Sequence, residues 1–347
     1  MDSPSRAVYE ALPDALDANS PVRVTALPDG SVDTFGPVHV GAGTVVEDRT
    51  DFAGRVEAGA SKSFRLVPRR REPGGQATNM ALQAHALSDD VTLYGYLDDP
   101  LFADLPFETV SMGTPARVSV CEFVEGDVVL AEASGDVSAW DLAALDDVAD
   151  LEAALGADAV CCGNWVSIPG MTDALRALGD HLLADVFVFD PGDLTGTDPS
   201  FLADFLDALA VVGDGWSRVV LSVNRREADA LASAGGVGTD ATGVDFAARL
   251  AGLRERTGIS GVVCHDEAAA TAATPDDVVH VANLETEDVT RQTGGGDRFD
   301  AGLAHGLAVG WGWRSALGLA NTCASYYVER GETVTREDVR PYLAGYV

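Results

Sequence analysis

The sequence predicts an α/β fold: a central, mostly parallel sheet with helices on both faces, and a small antiparallel sheet beside it. Three observations carry this prediction. From residue 140 onward, near-continuous apolar runs alternate with helix-length segments, the pattern of parallel strands buried on both faces. Residues 37–72 and 117–133 carry short alternating pieces divided by glycine and polar residues, as small antiparallel strands do. Two glycine-led turns, near 74 and 294, each enter an apolar run that permits a helix.

Residues 1–20 read as a short outer helix. Residues 22–27 alternate as a strand and end in Pro28-Asp29-Gly30-Ser31-Val32-Asp33. Asp33 lies past the first strand, where open α/β sheets place ligands. It could accept hydrogen bonds from substrate hydroxyls, or serve only as a turn aspartate. Strands are predicted at 38–40, 44–46, 55–57 and 63–66, and the stretch ends in Arg69-Arg70-Arg71. Gly74-Gly75 then lead into a helix through 87, with Asn79 in its first turn. The Asn79 amide can both donate to and accept from hydroxyls. A strand at 91–96 follows, and then a hairpin of 117–123 with 127–130. Helices over 141–155, 171–184, 199–211 and 243–256 precede strands at 159–164, 186–190, 219–224 and 261–264. A last strand is expected at 278–281. The expected organisation is a large α/β unit of residues 1–36, 74–116 and 138–347, with a small β-sheet lid of 37–73 and 117–137.

Of 347 residues, 55 are acidic and 23 basic, a net charge of −32, and Lys62 is the single lysine. No basic stripe is present for nucleic acid. No apolar run is long enough to span a bilayer, and residues 1–20 lack the pattern of a secretion signal. The five cysteines include no CxxC and no zinc spacing, so they read as buried, reduced thiols of a cytoplasmic protein. The partner class left is a small molecule.

Residues 293–303 read Thr-Gly-Gly-Gly-Asp-Arg-Phe-Asp-Ala-Gly-Leu. Glycines let backbone approach a ligand closely. The first turn of a helix has unpaired N–H groups and the positive end of the helix dipole, which suits a phosphate. A carboxylate beside that anion site needs a task. Asp297 could accept the proton of an alcohol attacking the phosphate, or be a plain first-turn carboxylate.

Three strand-end features, Gly74-Gly75 with Asn79, Asn224 with Glu227, and Gly294-Gly295-Gly296-Asp297, together resemble the ribokinase-like (PfkB-type) carbohydrate kinases over about residues 22–335. The family pattern D-T-x-G-A-G-D-x-F-x-x-G is matched by Gly294, Gly296, Asp297, Phe299 and Gly302, and its N-x-x-E by Asn224 and Glu227. The resemblance implies a ribokinase-like three-layer sandwich with a β lid that excludes water. It implies ATP and Mg²⁺ as co-substrate and cofactor, and Asp297 as the base. Backbone amides of Gly294, Gly295 and Gly296 would hold the γ-phosphate. Glu227, with Asn224, would orient Mg²⁺ through water; on spacing alone the pair reads as a helix capping box. Asp33, Gly74, Gly75 and Asn79 would bind the sugar, and Asn321 would lie near adenine. The family's common aspartate is replaced by Arg291, whose guanidinium would supply positive charge beside the anion site or sit on the surface. His265 is given no role. Exposed lid strands make a homodimer through the lid plausible.

Arg69-Arg70-Arg71 reads either as a charge-balancing face or as a clamp for a phosphate already on the substrate. The clamp favours a sugar phosphate, with ribose 1-phosphate taken to ribose 1,5-bisphosphate as the first expectation. Alternatives are an unphosphorylated sugar (ribose, fructose, 2-keto-3-deoxygluconate), a nucleoside, or a non-catalytic sensor on the same fold. The dispersed acidic surface points to a cytoplasm of molar salt, where like charges are screened. Folding stability should therefore rise between low and molar KCl; urea midpoints that stay level across that range would overturn the reading.

Overall fold

The structure is a computed structural model that describes the chain except residues 180, 216–217, 238–245, 287–288, 292 and 347. In chain order, α1 (Ser3–Ala18) and β1 (Arg23–Leu27) precede β2 (Ser31–Val40), β3 (Thr44–Val46), α2 (Arg49–Glu57), β4 (Arg65–Leu66) and β5 (Arg70–Gly74). Then come α3 (Gln76–Ala86), β6 (Asp90–Gly95), β7 (Glu108–Ser111), β8 (Ala116–Glu122) and β9 (Val128–Ala131). Short α4 (Gly135–Ser138), α5 (Leu142–Asp146) and α6 (Leu151–Leu155) lead into β10 (Ala159–Gly163), α7 (Met171–Leu178), β11 (Val186–Asp190), α8 (Pro199–Gly213) and β12 (Arg218–Val223). The chain continues through α9 (Arg225–Ala234), α10 (Phe246–Thr257), β13 (Gly261–His265), β14 (Ala269–Ala273) and β15 (Val278–Ala282). It ends with α11 (Gly295–Ala308), α12 (Trp313–Arg330) and α13 (Arg336–Leu343).

Nine strands form the large sheet in the order β15-β14-β13-β12-β11-β10-β1-β6-β7. It is parallel from β7 to β13, and β14 and β15 add antiparallel strands at one edge. The strand order reverses at β1, which places a crevice at the carboxyl ends of β1 and β10. Central strands bury both faces. Val186 and Val188 of β11 join the apolar core under α1, α3, α11 and α12, while Phe187 and Phe189 join the core under α7, α8 and α9. This is the three-layer α/β sandwich that the sequence predicts. All five cysteines are buried and unpaired. Among the described residues no helix is long and apolar enough to cross a membrane.

The smaller sheet runs β3-β2-β8-β9, with β4 and β5 also paired to β2. It is not wholly antiparallel, because β2 and β8 run parallel. Its strands span residues 31–74 and 116–131, starting earlier than the expected boundary at 37. Asp33 thus lies in a strand and not in a turn. Residues 55–57 belong to α2 and not to a strand. The helix expected over 141–155 is broken into α5 and α6, because Asp141 and Asp150 each cap a new start by accepting from backbone N–H groups. The helix expected over 171–184 stops at Leu178, and the first residues of the one expected over 243–256 lie outside those described.

Helices α11 and α12 pack with little space between them. A Cβ placed on Gly306 would stand 2.8 Å from the Ala316 Cα, and one on Gly302 3.0 Å from the Ala320 Cα. These are backbone atoms that cannot rotate away. Gly306→Ala should cost about 1–3 kcal/mol through overpacking, read as a lowered urea midpoint at constant slope; a midpoint equal to wild type would refute this packing.

Candidate active site

The carboxyl ends of the parallel strands open into a cleft of about 980 Å³. A second cavity of about 860 Å³ adjoins it. The amino end of α11 stands between the two. Thr293, Gly294 and Asp297 line the first cavity, and Gly295 and Gly296 line the second. Gly294 caps the helix with φ +93°, a conformation that favours glycine. A Cβ there would also lie 3.6 Å from the Asn79 Nδ2.

One contact joins the two glycine motifs. The Asn79 Nδ2 donates to the Asp297 Oδ2 at 2.7 Å, across 218 residues of sequence. Asp297 is buried, and burial first, then the charge of Asp190, push its carboxyl up to about 8. Asn79 and the guanidinium of Arg298 act the other way. Arg298 is itself buried, stacks 4.5 Å from the Tyr327 ring centroid and donates to the Thr333 Oγ1. Three residues further along α11, Asp300 is fully buried, with the Ser222 hydroxyl and the Asp190 carboxyl beside it. Burial first and Asp190 next push its carboxyl well above the ordinary range.

The residues expected at the sugar end are distributed unevenly. Asp33, Gly75 and Asn79 line the first cavity, whereas Gly74 does not. A Cβ on Gly74 would fall 2.3 Å from the Asp33 carboxyl oxygen, so this glycine makes room for Asp33. Asp33 accepts from the Ser31 Oγ at 2.5 Å, and burial raises its carboxyl to about 6. Gly75 takes φ +99° and begins α3 beside Asp29.

Asp29 is a site residue that the sequence reading passed over. Its carboxylate accepts from the backbone N–H groups of Gln76 at 3.1 Å and Ala77 at 2.7 Å, and from the Asn164 Nδ2 at 2.9 Å. It thereby ties the first turn of α3 to the ends of β1 and β10. Asp190 and His265 were also passed over. Both line the first cavity, and a Cβ on Gly296 would lie 3.3 Å from the His265 Cε1 and 3.9 Å from the Asp190 Oδ2. Burial lowers the imidazole pKa of His265, which stacks on Phe299 with centroids 5.1 Å apart. The signal was available in each case: a polar residue directly at the carboxyl end of an apolar strand.

Asn224 and Glu227 form the capping box that their spacing allowed. The Asn224 N–H donates to the Glu227 Oε2 at 2.8 Å, its Nδ2 donates to Oε1 at 2.5 Å, and its Oδ1 accepts from the Glu227 N–H at 3.1 Å. Both residues also face the first cavity. Burial first, then Asp190, push the Glu227 carboxyl up to about 8. Asn321 lines the second cavity, but its Nδ2 donates to the Tyr9 Oη and the Val281 carbonyl, so its donors bind α1 and β15 to α12.

The arginines are placed differently from the expectation. Arg70 pairs with Glu122 at 2.6 Å and Glu72 at 3.0 Å, Arg69 lies 3.9 Å from Glu122, and Arg71 lies 4.0 Å from Asp99. None of the three lines either cavity. Strand pairing brings Glu72 and Glu122 alongside these arginines. Arg291 pairs with Glu72 at 2.9 Å and stacks over Phe35, also away from the cavity walls.

Similarity to known proteins agrees with this geometry. Residues 43–346 match the prokaryotic ketohexokinase family. A ketohexokinase of Haloferax volcanii is 29% identical over 309 residues, covering 84% of this chain and 80% of that protein. Ribokinase of Thermotoga maritima superposes with a TM-score of 0.67 at 14% identity, covering 93% of this chain and 99% of the other. Ribokinase of Arabidopsis thaliana, solved with ribose and ATP, gives 0.62 at 17% identity, covering 93% and 98%. With a ribokinase-like fold, an acid-lined cleft at the α11 turn and a family match over most of its length, the chain belongs to the prokaryotic ketohexokinase family and is a PfkB-type carbohydrate kinase.

Proposed function

We propose that the protein transfers the terminal phosphoryl group of ATP to a hydroxyl of an unphosphorylated ketohexose such as fructose, with Asp297 as the base. The observation that carries this reading is the position of Asp297, at a helix amino end that separates two cavities. The acceptor occupies the first cavity, where Asp29, Asp33 and Asn79 suit hydroxyl groups. ATP occupies the second, with its terminal phosphate against the turn of Gly294, Gly295 and Gly296. The family and its Haloferax relative support a ketohexose as acceptor. The sugar phosphate expected from Arg69-Arg70-Arg71 is not supported, because those guanidinium groups are already paired outside the cleft.

Magnesium fits this site as a guest of the nucleotide. Among the described residues no cluster of three or more metal-ligating side chains is present, as expected where a metal keeps its waters and binds mainly through substrate phosphates. Asp190 lies close enough to raise the cost of ionising Glu227, so a cation between nucleotide and protein would relieve it. Glu227 would hold it, through water, while Asn224 fixes the carboxylate. When bound, Mg²⁺ supplies charge neutralisation of the nucleotide phosphates. The chain itself does the rest: Asn79 aims Asp297, which in its ionised form takes the proton of the attacking hydroxyl. The small sheet closes over the sugar as a lid, and its Val118, Val120 and Val129 face the cleft and exclude water.

Turnover with ATP and Mg²⁺ over ketohexoses, aldoses, nucleosides and sugar phosphates, in molar KCl, tests the reading. Ketohexoses should give the highest kcat/KM, and Asp297→Asn should lower kcat by about 10²–10⁴-fold. A preference for ribose 1-phosphate, or near-native turnover by the variant, would overturn it.

The raised Asp297 carboxyl also sets a pH dependence of stability. Its folded value near 8 lies above the ordinary 3.8. Between those values the folded chain holds a proton that the unfolded chain has lost, so stability falls as pH rises through that window. Asp297→Asn removes this slope. The variant should be more stable than wild type above pH 8, with the gain vanishing near pH 4; equal urea midpoints at pH 8.5 would contradict the burial of this charge.

A further inference from the structure

Among the described residues three line both cavities: Asn224, Arg226 and His265. Asn224 is consumed by its capping box, and His265 is held neutral by burial. Arg226 is different. It sits in the first turn of α9, is exposed, and has no hydrogen-bond or ion-pair partner among the described residues. Its neighbour Arg225 shows what commitment looks like here: it pairs with Asp266 at 2.5 Å and stacks 3.9 Å from the centroid of Phe246.

The charge around Arg226 makes its freedom informative. The first cavity is lined by seven carboxylates, and Arg226 is its one lysine or arginine among the described residues. A nucleotide triphosphate brought to such a wall meets repulsion that a metal only partly offsets. In phosphoryl transfer, negative charge spreads over the equatorial oxygens of the group in transit. A guanidinium fork matches such oxygens and keeps its charge at all working pH values.

We propose that Arg226 is a further catalytic residue, contacting the β- and γ-phosphates of the donor and the phosphoryl group as it crosses between the cavities. This rests on the kinase reading above and adds a residue to it. Arg226 takes no proton and makes no covalent bond. It stabilises charge on the moving group while Asp297 accepts the hydroxyl proton.

The experiment compares Arg226→Gln and Arg226→Lys with wild type, using Arg218→Gln as a control of equal charge change at the opposite end of β12. Calorimetric binding of ATP and of AMP is measured separately from turnover. Arg226→Gln should weaken ATP binding at least tenfold and leave AMP binding within twofold. It should lower kcat about a hundredfold with little change in KM for the sugar. Arg226→Lys should recover part of the loss, and Arg218→Gln should match wild type. Equal effects on ATP and AMP, no effect on either, or a change confined to the KM of the sugar would each overturn the proposal. An enzyme that binds ATP in this pattern yet phosphorylates no ketohexose would sink the acceptor assignment and leave Arg226 standing. Because Arg226 is exposed, its variants should fold, which matching urea midpoints would verify.

Discussion

The hydrogen bond from Asn79 to Asp297 holds the site together. It connects the first turns of α3 and α11, two helices that begin at glycine turns far apart in sequence. Both turns need glycine for their backbone, Gly75 at φ +99° and Gly294 at φ +93°, and a Cβ on Gly75 would also crowd Asp29 at 3.2 Å. The crossing of strand order at β1 supplies the crevice, and this contact fixes where in the crevice the Asp297 carboxyl stands.

Around that contact the chain tolerates an unfavourable concentration of acid. Asp29, Asp190, Glu227, Asp297 and Asp300 all lie buried near the carboxyl ends of the strands, and burial raises the carboxyl pKa of Asp29, Glu227, Asp297 and Asp300. Asp29 offsets its burial by accepting three hydrogen bonds. The burial of Asp297 is offset by the charge of the neighbouring Arg298 and by the hydrogen bond from Asn79. Such strain is expected where a group must change protonation during turnover. The acidic surface of the chain is a separate matter, since most of those residues are exposed and screened by salt.

The layered fold was legible because buried parallel strands are continuous apolar runs, and because helices with an apolar face show their period. Where that period is missing, the reading failed. α2 buries none of its residues, so Arg55-Val56-Glu57 shows only a local alternation that imitates a strand. β14 is nearly all alanine, a residue depleted in strands, and gave no signal. In the site, the glycine turns and Asp297 were legible because backbone conformation and chemistry constrain residue type at fixed spacing. The arginines were not, because their partners are set by pairing between distant strands. Arg70 meets Glu122 only once β2 has aligned β5 with β8, and Arg291 meets Glu72 across 219 residues.

Three residues link β1 to β2, which runs unbroken for ten residues. Its root carries Asp33 in the cleft, its middle carries Phe35 beneath Arg70 and Arg291, and its tip carries Val38 and Val40 in the apolar cluster under α2. That strand is paired on both edges, so the outer sheet and the Asp33 carboxylate are carried by one continuous element joined to the large sheet through the short link that holds Asp29.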